Sequence, residues 1–129
     1  RPRLLLFIED ELDVVELYKT AFEHGGFVVE SIFTGEEALE RVRHFATGRM
    51  ERPHVIILDI MLPGIPGATV LREARSHKAL DNTAIFVLTN YANSKLKAEV
   101  DTMRNTKYFL KTDVTPSKLA AAAREILGG

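Results

Sequence analysis

One short stretch places the strongest constraint on the fold of this chain. Four apolar residues, Val55-Ile56-Ile57-Leu58, run directly into Asp59, and the turn pair Pro63-Gly64 follows. A continuous apolar run bounded by turn residues is typical of a strand that is buried on both faces, as in a parallel sheet. Asp59 is then expected at the carboxyl end of a central strand, where open α/β sheets bind their ligands. Because a buried unpaired charge is costly, partners for this carboxylate are expected elsewhere in the chain.

Strand and helix patterns alternate along the whole sequence. Further β-rich runs cover residues 4–8, 27–33, 84–88 and 108–110. Apolar residues at helical spacing follow each run: Val14, Leu17, Tyr18 and Ala21; Leu39, Val42 and Ala46; Val70, Leu71 and Ala74; Leu96, Val100 and Met103; Leu119, Ala122, Ala123 and Ile126. Helix starts are predicted at Thr34, with Glu37 three residues on, and at Thr115-Pro116. Five repeats of strand and helix predict one α/β domain over residues 1–129, with helices on both faces of a parallel sheet.

Composition narrows the functional classes. The chain carries 17 basic and 18 acidic residues, so its net charge of -1 gives no reason to expect nucleic acid or a membrane surface as a partner. It has no cysteine, which excludes disulfides, thiolate catalysis and cysteine metal sites. No apolar run is long enough for a membrane span, and the expected compartment is the cytoplasm.

Chemically active residues follow four of the five predicted strands. Glu9 and Asp10 follow the first strand, Asp59 ends the third, Thr89 follows the fourth and Lys111 follows the fifth. In a parallel sheet these ends lie side by side, so the side chains are expected to converge. Carboxylates about 4 Å apart repel by roughly 4 kcal/mol per pair at an effective dielectric near 20, and a hard divalent cation relieves that repulsion.

This cluster predicts a specific chemistry. Oxygen-only ligands favour Mg²⁺, with Mn²⁺ as a substitute. A carboxylate beside the cation can attack phosphorus and form an aspartyl-phosphate. The Lys111 ammonium and the Thr89 hydroxyl are then expected to hold phosphoryl oxygens. The excess negative charge also predicts that Asp10→Asn stabilises the metal-free chain.

The order of these motifs resembles the receiver domains of two-component response regulators. The resemblance covers nearly the whole chain and rests on Glu9-Asp10, on Asp59 followed by Met61-Leu62-Pro63-Gly64 and Gly67, on Leu88-Thr89, and on Tyr108 three residues before Lys111. It implies a flavodoxin-like fold, a three-layer sandwich with strand order 2-1-3-4-5. It also implies that Asp59 accepts a phosphoryl group from a phosphohistidine on a histidine kinase or a histidine phosphotransfer protein.

The resemblance further assigns roles to single residues. Asp10 and Asp59 are expected to coordinate Mg²⁺ directly, Met61 through its backbone carbonyl, and Glu9 partly through water. Thr89 and Tyr108 are expected to act as the switch. Phosphorylation is then expected to change the surface of the fourth helix, fifth strand and fifth helix, where an effector or a second copy binds. The chain is accordingly expected to be mainly a signalling domain that catalyses phosphotransfer to, and hydrolysis from, its own aspartate.

Two positions depart from the family pattern, and two other functions stay open. Thr112 stands where the family usually has a cis-proline, and Asn90 stands where it usually has a small residue. One alternative is a metal-dependent phosphatase that uses an aspartyl-phosphate, which steady turnover of small phosphomonoesters would indicate. The other is a pseudo-receiver that only binds a partner, which failure to bind Mg²⁺ would indicate.

Overall fold

A computed structural model describes residues 2–128, in which five β-strands alternate with five α-helices. The strands are β1 (Arg3–Ile8), β2 (Phe27–Ile32), β3 (Val55–Asp59), β4 (Ala84–Thr89) and β5 (Thr106–Leu110). The helices are α1 (Leu12–His24), α2 (Gly35–Ala46), α3 (Gly67–Ser76), α4 (Ser94–Asp101) and α5 (Pro116–Ile126), with a short 3₁₀ turn at Lys78–Leu80. No helix in these residues has the length and apolar character that a membrane span requires.

The strands form one sheet in the order β2-β1-β3-β4-β5, and every neighbouring pair is parallel. This confirms the flavodoxin-like order. The register aligns the carboxyl ends, because Ile8 pairs with Leu58, Asp59 with Leu88, and Thr89 with Leu110. Residues that follow β1, β3, β4 and β5 therefore lie along a single edge of the sheet.

The two faces of the sheet bury two separate apolar layers. Ile56 and Leu58 of β3 pack on the side of α2, α3 and α4, whereas Val55 and Ile57 pack on the side of α1 and α5. Successive residues of a strand point to opposite faces, so a strand covered on both sides needs apolar residues at every position. The continuous runs in β3 and β4 have this cause.

Two helices turn a slightly different side toward the sheet than their spacing predicts. In α1 the buried residues are Val15, Tyr18 and Phe22, and Leu17 is 61% exposed, so the predicted stripe through Leu17 is wrong. In α2 the buried side chains are Ala38, Val42 and Phe45, beside Gly35 at its start, while the predicted Leu39 and Ala46 are only half-buried. In both helices the rotation places a phenylalanine in the core, where an aromatic ring buries more apolar surface than the residue it replaces.

Capping residues fix where the helices begin. The Thr34 hydroxyl accepts a hydrogen bond from the Glu37 N–H at 3.2 Å, and the Thr115 hydroxyl accepts one from the Lys118 N–H at 3.1 Å. Both predicted starts are confirmed. The side chain of Asn93 caps α4 in the same way by accepting from the Leu96 N–H at 3.0 Å.

One arginine side chain, that of Arg75, links the turn after α3 to the amino ends of β4 and β5. The guanidinium of Arg75, at the end of α3, donates to the carbonyl oxygens of Leu80, Thr83 and Asn105 and to the hydroxyl of Thr106, at 2.7 to 2.9 Å. Burial lowers the pKa of this guanidinium from its usual high value. The four acceptors come from the turn after α3 and from the starts of β4 and β5, so Arg75 holds the amino ends of these strands together.

Candidate functional site

Three carboxylates meet at the carboxyl edge of the sheet. Glu9 and Asp10 follow β1 and Asp59 ends β3, and each offers an oxygen atom that lies within 4.8 Å of the other two. Glu9 and Asp59 are buried, while Asp10 is exposed. The convergence follows from the parallel pairing of β1 with β3, because these two strands end at adjacent positions of the sheet.

A lysine that directly follows the fifth strand completes this cluster. The Lys111 ammonium lies 2.7 Å from Glu9 Oε1 and 3.0 Å from Asp59 Oδ2. Its backbone N–H donates to the carbonyl of Thr89 at 2.8 Å, which continues the β4–β5 pairing one residue beyond β5. Burial alone would lower the pKa of Lys111, yet its hydrogen bonds to the two carboxylates outweigh burial and raise that pKa. The lysine therefore stays charged between them.

The Asp59 carboxylate is also held from the side of its own loop. The Met61 N–H donates to Asp59 Oδ1 at 2.8 Å, so both oxygens of this carboxylate have a donor. Gly67, the first residue of α3, packs directly on this loop, because a Cβ there would overlap the Asp59 carbonyl oxygen and lie 2.6 Å from Ile60 Cα. Gly64 supplies the positive φ of 73° that the turn between them requires.

The crowding of carboxylates in this cluster affects the pKa of Glu9. Burial, the largest effect, together with the neighbouring Asp59, raises the pKa of Glu9 from 4.5 to about 7, even though the Lys111 ammonium lowers it. Without another cation, one lysine faces three carboxylates. The predicted place of the electrostatic strain, Asp10, is wrong, because Asp10 is exposed and Glu9 is fully buried. The β1–α1 loop turns Glu9 inward, where its Oε2 accepts from the Glu11 N–H at 3.1 Å, so Glu9 also satisfies the start of α1.

The two remaining predicted residues stand on β4 and β5. The Thr89 hydroxyl is turned toward the following loop, where it donates to the Tyr91 carbonyl at 3.2 Å and accepts from the Tyr91 N–H at 3.3 Å. Tyr108 is half-buried against the α4 side of the core. Its hydroxyl accepts from the Asn93 N–H at 3.0 Å and donates to the Tyr91 carbonyl at 3.4 Å. The structure thus brings Glu9, Asp10, Asp59 and Lys111 together, whereas the hydroxyls of Thr89 and Tyr108 both contact the loop that follows β4.

Sequence reasoning missed the part that Tyr91 plays in this loop. The side chain of Tyr91 is 72% exposed, and its contribution is a backbone carbonyl, which any residue type supplies. No sequence signal marks such a position. Asn93 was detectable in principle, because asparagine just before an apolar helical stripe is a common N-cap.

The two departures from the family pattern both lie at the surface. Thr112 and Asn90 are exposed, and none of the peptide bonds described in residues 2–128 is cis, so the bond between Lys111 and Thr112 is trans. Lys111 nevertheless reaches both buried carboxylates. Proline is therefore not needed here to place the ammonium in the cluster.

Comparison with known proteins agrees with this geometry. The family model of the response regulator receiver domain matches residues 5–124. The chain belongs to this family. It is 32% identical over 85 residues to the transcriptional regulatory protein CpxR homolog of Haemophilus influenzae, covering 66% of this chain and 33% of that protein. It is 33% identical over 76 residues to the alkaline phosphatase synthesis transcriptional regulatory protein PhoP of Bacillus subtilis, covering 59% and 29%.

A solved receiver domain has the same fold. The BeF₃-activated N-terminal receiver domain of RstA from Klebsiella pneumoniae is 27% identical, with a TM-score of 0.79 over 98% of this chain and 100% of that one. The chain spans about a third of the length of the curated relatives that it matches. Receiver domains of response regulators obtain phosphoryl groups from histidine kinases, and the acidic cluster of Glu9, Asp10 and Asp59 is typical of their metal sites.

Proposed function

We propose that this receiver domain accepts a phosphoryl group on Asp59 from a phosphohistidine of a histidine kinase or phosphotransfer protein. In this step one Asp59 oxygen attacks phosphorus and a P–O bond forms. The P–N bond to the donor imidazole breaks, and its electron pair returns to the imidazole nitrogen. The observation that carries the proposal is the fixed carboxylate of Asp59, which Met61 and Lys111 hold by one oxygen each beside two further acids. A nucleophile held in one orientation reacts faster than a free one.

The residues present fit a small divalent cation. All three side chains offer carboxylate oxygens within 4.8 Å of one another, and the pKa of about 7 for buried Glu9 indicates a pocket short of positive charge. Mg²⁺ prefers such hard oxygen ligands and keeps several waters. Asp10 and Asp59 would hold it directly, with the Met61 carbonyl, and Glu9 partly through water. When bound, the cation would neutralise negative charge on the transferring phosphoryl oxygens.

Lys111 and Thr89 would hold the product. When an Asp59 oxygen becomes part of the acyl phosphate, its attraction for the Lys111 ammonium falls, and the ammonium turns to a phosphoryl oxygen. Such N⁺–H···O⁻ bonds are stronger than neutral ones. Thr89 lies at the adjacent strand end, and rotation of its side chain from the Tyr91 carbonyl brings its hydroxyl toward the phosphoryl group.

That rotation would carry the signal to the α4-β5-α5 surface, formed by the outer faces of α4, β5 and α5. Thr89 and Tyr108 both donate to the Tyr91 carbonyl, so a change at Thr89 alters the loop that orients Tyr108. The Tyr108 hydroxyl in turn accepts a hydrogen bond from the backbone N–H of Asn93, the N-cap residue of α4. An effector or a second copy that binds this surface would distinguish the two arrangements.

The test is the intact mass of the chain after incubation with acetyl phosphate. We expect one added phosphoryl mass with Mg²⁺ and none with EDTA. Asp59→Asn should abolish the adduct, while Asp13→Asn, which changes an exposed aspartate of α1 outside the cluster, should keep it. Equal labelling of Asp59→Asn and wild type would refute the assignment of Asp59. If wild type were labelled in EDTA as fast as it is with Mg²⁺, the requirement for a cation would be refuted.

A further inference from the structure

The first residue of α2 packs against the β3–α3 loop, residues 60–66. Gly35 is buried, and its N–H donates to the Pro63 carbonyl in a long hydrogen bond of 3.5 Å. A Cβ on Gly35 would overlap the carbonyl oxygen of Ile65 and lie 2.7 Å from the carbonyl carbon of that residue. These are backbone atoms, which cannot turn aside as the end of a flexible side chain does. The contact between helix and loop therefore leaves no room for a side chain at position 35.

The helix itself gives no reason for a glycine at this position. Gly35 has a helical backbone with a negative φ, which every residue type adopts. Alanine forms helices better than glycine, and it also reduces the freedom of the unfolded chain, so this substitution normally stabilises a protein. The glycine is therefore explained by the contact with Ile65 and not by the local conformation.

A second contact joins the same two segments one residue away from the first. The Glu36 side chain is exposed to solvent, yet its carboxylate lies against the backbone of Gly64, where a Cβ would overlap both carboxylate oxygens. Gly67 of α3 packs on the start of the β3–α3 loop, at Asp59 and Ile60. The first turn of α2 therefore supports the second half of this loop.

The helix is held more firmly than the loop. Three side chains of α2 lie in the apolar layer with 3% exposure or less, namely Ala38, Val42 and Phe45. The loop is open to solvent at Met61, which is 59% exposed. A side chain added at Gly35 therefore displaces the loop, and Met61 moves with it. Because the Met61 N–H is the donor that holds Asp59 Oδ1 at 2.8 Å, the displacement reaches the acceptor carboxylate.

We propose that Gly35 is a positioning residue for the phosphoacceptor site. Its missing side chain allows the β3–α3 loop the path on which the Met61 N–H meets Asp59. This inference rests on the proposed function, in which Asp59 attacks phosphorus and the Met61 carbonyl holds the cation. A misplacement of about 1 Å by a mutation far from the chemistry can slow a reaction on the order of a hundredfold. Residues that orient metal ligands typically contribute about 10- to 100-fold to the affinity for the metal.

The first test compares the metal-free wild type with Gly35→Ala by NMR, and it needs neither a cation nor phosphorylation. We expect the Met61 amide signal to shift and its proton to exchange with solvent roughly tenfold faster, because displacement of the loop weakens its bond to Asp59. The amides of Glu11 and Lys111 report on the parts of the cluster that β1 and β5 position. These two signals should stay nearly unchanged.

Gly48→Ala is the matched control, because Gly48 lies just beyond the other end of α2. Apart from its chain neighbours, a Cβ there would meet no atom of residues 2–128 within 4 Å, but its φ of 77° is one that alanine rarely adopts. The substitution should therefore lower the melting temperature without moving the Met61 amide. It separates a loss of stability from a displacement of the loop.

The second test measures the affinity for Mg²⁺ by isothermal titration and the rate of phosphorylation by acetyl phosphate. Gly35→Ala should bind Mg²⁺ about tenfold or more weakly and should take up the phosphoryl group about 10- to 100-fold more slowly. Gly48→Ala should keep both wild-type values at a temperature at which all three proteins are folded. If Gly48→Ala lost as much rate as Gly35→Ala, reduced stability would explain both losses and the positioning role would be refuted.

The two tests distinguish a failure of this inference from a failure of the proposed function. If wild type takes up no phosphoryl group, the proposed function fails, and the Met61 amide still decides whether Gly35 positions the loop. If wild type is phosphorylated and Gly35→Ala keeps both the wild-type Met61 signal and the wild-type rate, the positioning role is wrong and the proposed function stands.

A second variant covers the case in which Gly35→Ala does not fold. Glu36→Ala adds no atoms and removes only the exposed carboxylate that lies against Gly64. It should speed proton exchange at the Met61 amide severalfold, whereas Glu40→Ala, which removes an exposed acid of the next turn, should not. Equal exchange rates at Met61 in these two variants would overturn the proposal.

Discussion

The hydroxyl groups of Thr89 and Tyr108 donate to the same atom, the carbonyl oxygen of Tyr91, at 3.2 and 3.4 Å. One residue ends β4 beside the acidic cluster, and the other lies on β5 next to α4. Because a single carbonyl accepts both bonds, a movement of Tyr91 alters both hydroxyls together. This shared acceptor gives the proposed switch a definite structural connection, which the residue types alone do not reveal.

The first prediction concerns Tyr108. Tyr108→Ala should leave phosphorylation of Asp59 intact but remove the response of the α4-β5-α5 surface, because the ring that would change position is absent. The measurement is the set of NMR shift changes that a beryllofluoride phosphate mimic causes in α4 and α5. Tyr108→Phe is the matched control, since it keeps the ring and loses only the bonds to Asn93 and Tyr91. We expect it to keep part of the response, and full responses in both variants would exclude Tyr108 as a switch.

The second prediction concerns stability and pH. Glu9 has a folded-state pKa of about 7 against an ordinary value of 4.5, so between these values the folded chain binds more protons than the unfolded chain. The free energy of unfolding of the metal-free chain should therefore fall as pH rises through this window. The shift corresponds to roughly 3 kcal/mol. Glu9→Gln should remove this loss and be more stable than wild type at pH 8, with little difference near pH 4.5.

Urea unfolding in EDTA at several pH values measures this effect. Glu40→Gln, an exposed acid of α2, is the control and should follow the wild-type curve. Asp10→Asn should stabilise the metal-free chain less than Glu9→Gln, because Asp10 is exposed. A larger gain from Asp10→Asn would mean that the electrostatic strain lies at Asp10 after all.

The third prediction concerns the affinity for Mg²⁺. Below pH 7 Glu9 must lose its proton when a cation enters the cluster, so the apparent affinity should rise between about pH 5 and 7 and then level off. Isothermal titration in two buffers of different ionisation enthalpy measures the released proton. Glu9→Gln should bind more weakly at pH 8 and lose most of this pH dependence. A wild-type affinity that does not change across this range would contradict the link between Glu9 and the cation.

The fourth prediction contrasts two arginines of the same helix. Arg75→Lys should destabilise the fold by about 2–4 kcal/mol, because a lysine cannot satisfy the four acceptors that the half-buried guanidinium serves. Arg72 makes a bidentate ion pair with Glu99 at 2.7 and 2.9 Å, but this pair is exposed to solvent. Arg72→Lys should therefore lower the free energy of unfolding by less than about 1 kcal/mol. Chemical denaturation of both variants tests the difference, and equal losses would refute it.

The sequence correctly predicted those elements whose surroundings allow only one type of secondary structure. The runs in β3 and β4 are covered on both faces, so no amphipathic pattern competes with the strand interpretation. In α1 and α2 more apolar residues are present than one face can bury, and the spacing alone does not decide between Leu17 and Phe22 as core residues. The sheet decides, through the volume available beneath each helix.

The same limit applies to the site. The ends of three strands, β1, β3 and β5, identified Glu9, Asp10, Asp59 and Lys111, because parallel pairing brings such ends together whatever the loops do. Which of two adjacent acids turns inward depends on the path of the β1–α1 loop, and that path was not predictable from the letters Glu-Asp. The shared carbonyl of Tyr91 lies further out of reach, since backbone oxygens carry no sequence identity.

The contact between Gly67 and the loop of Asp59 limits how this domain can be redesigned. Even the methyl group of alanine at position 67 would overlap the Asp59 carbonyl oxygen, and the backbone there has no flexible atom to give way. The first turn of α3 therefore fixes the backbone path of the loop that follows Asp59. An engineer who wishes to tune the reaction rate can vary Met61, which is 59% exposed on that loop, but has no freedom at position 67.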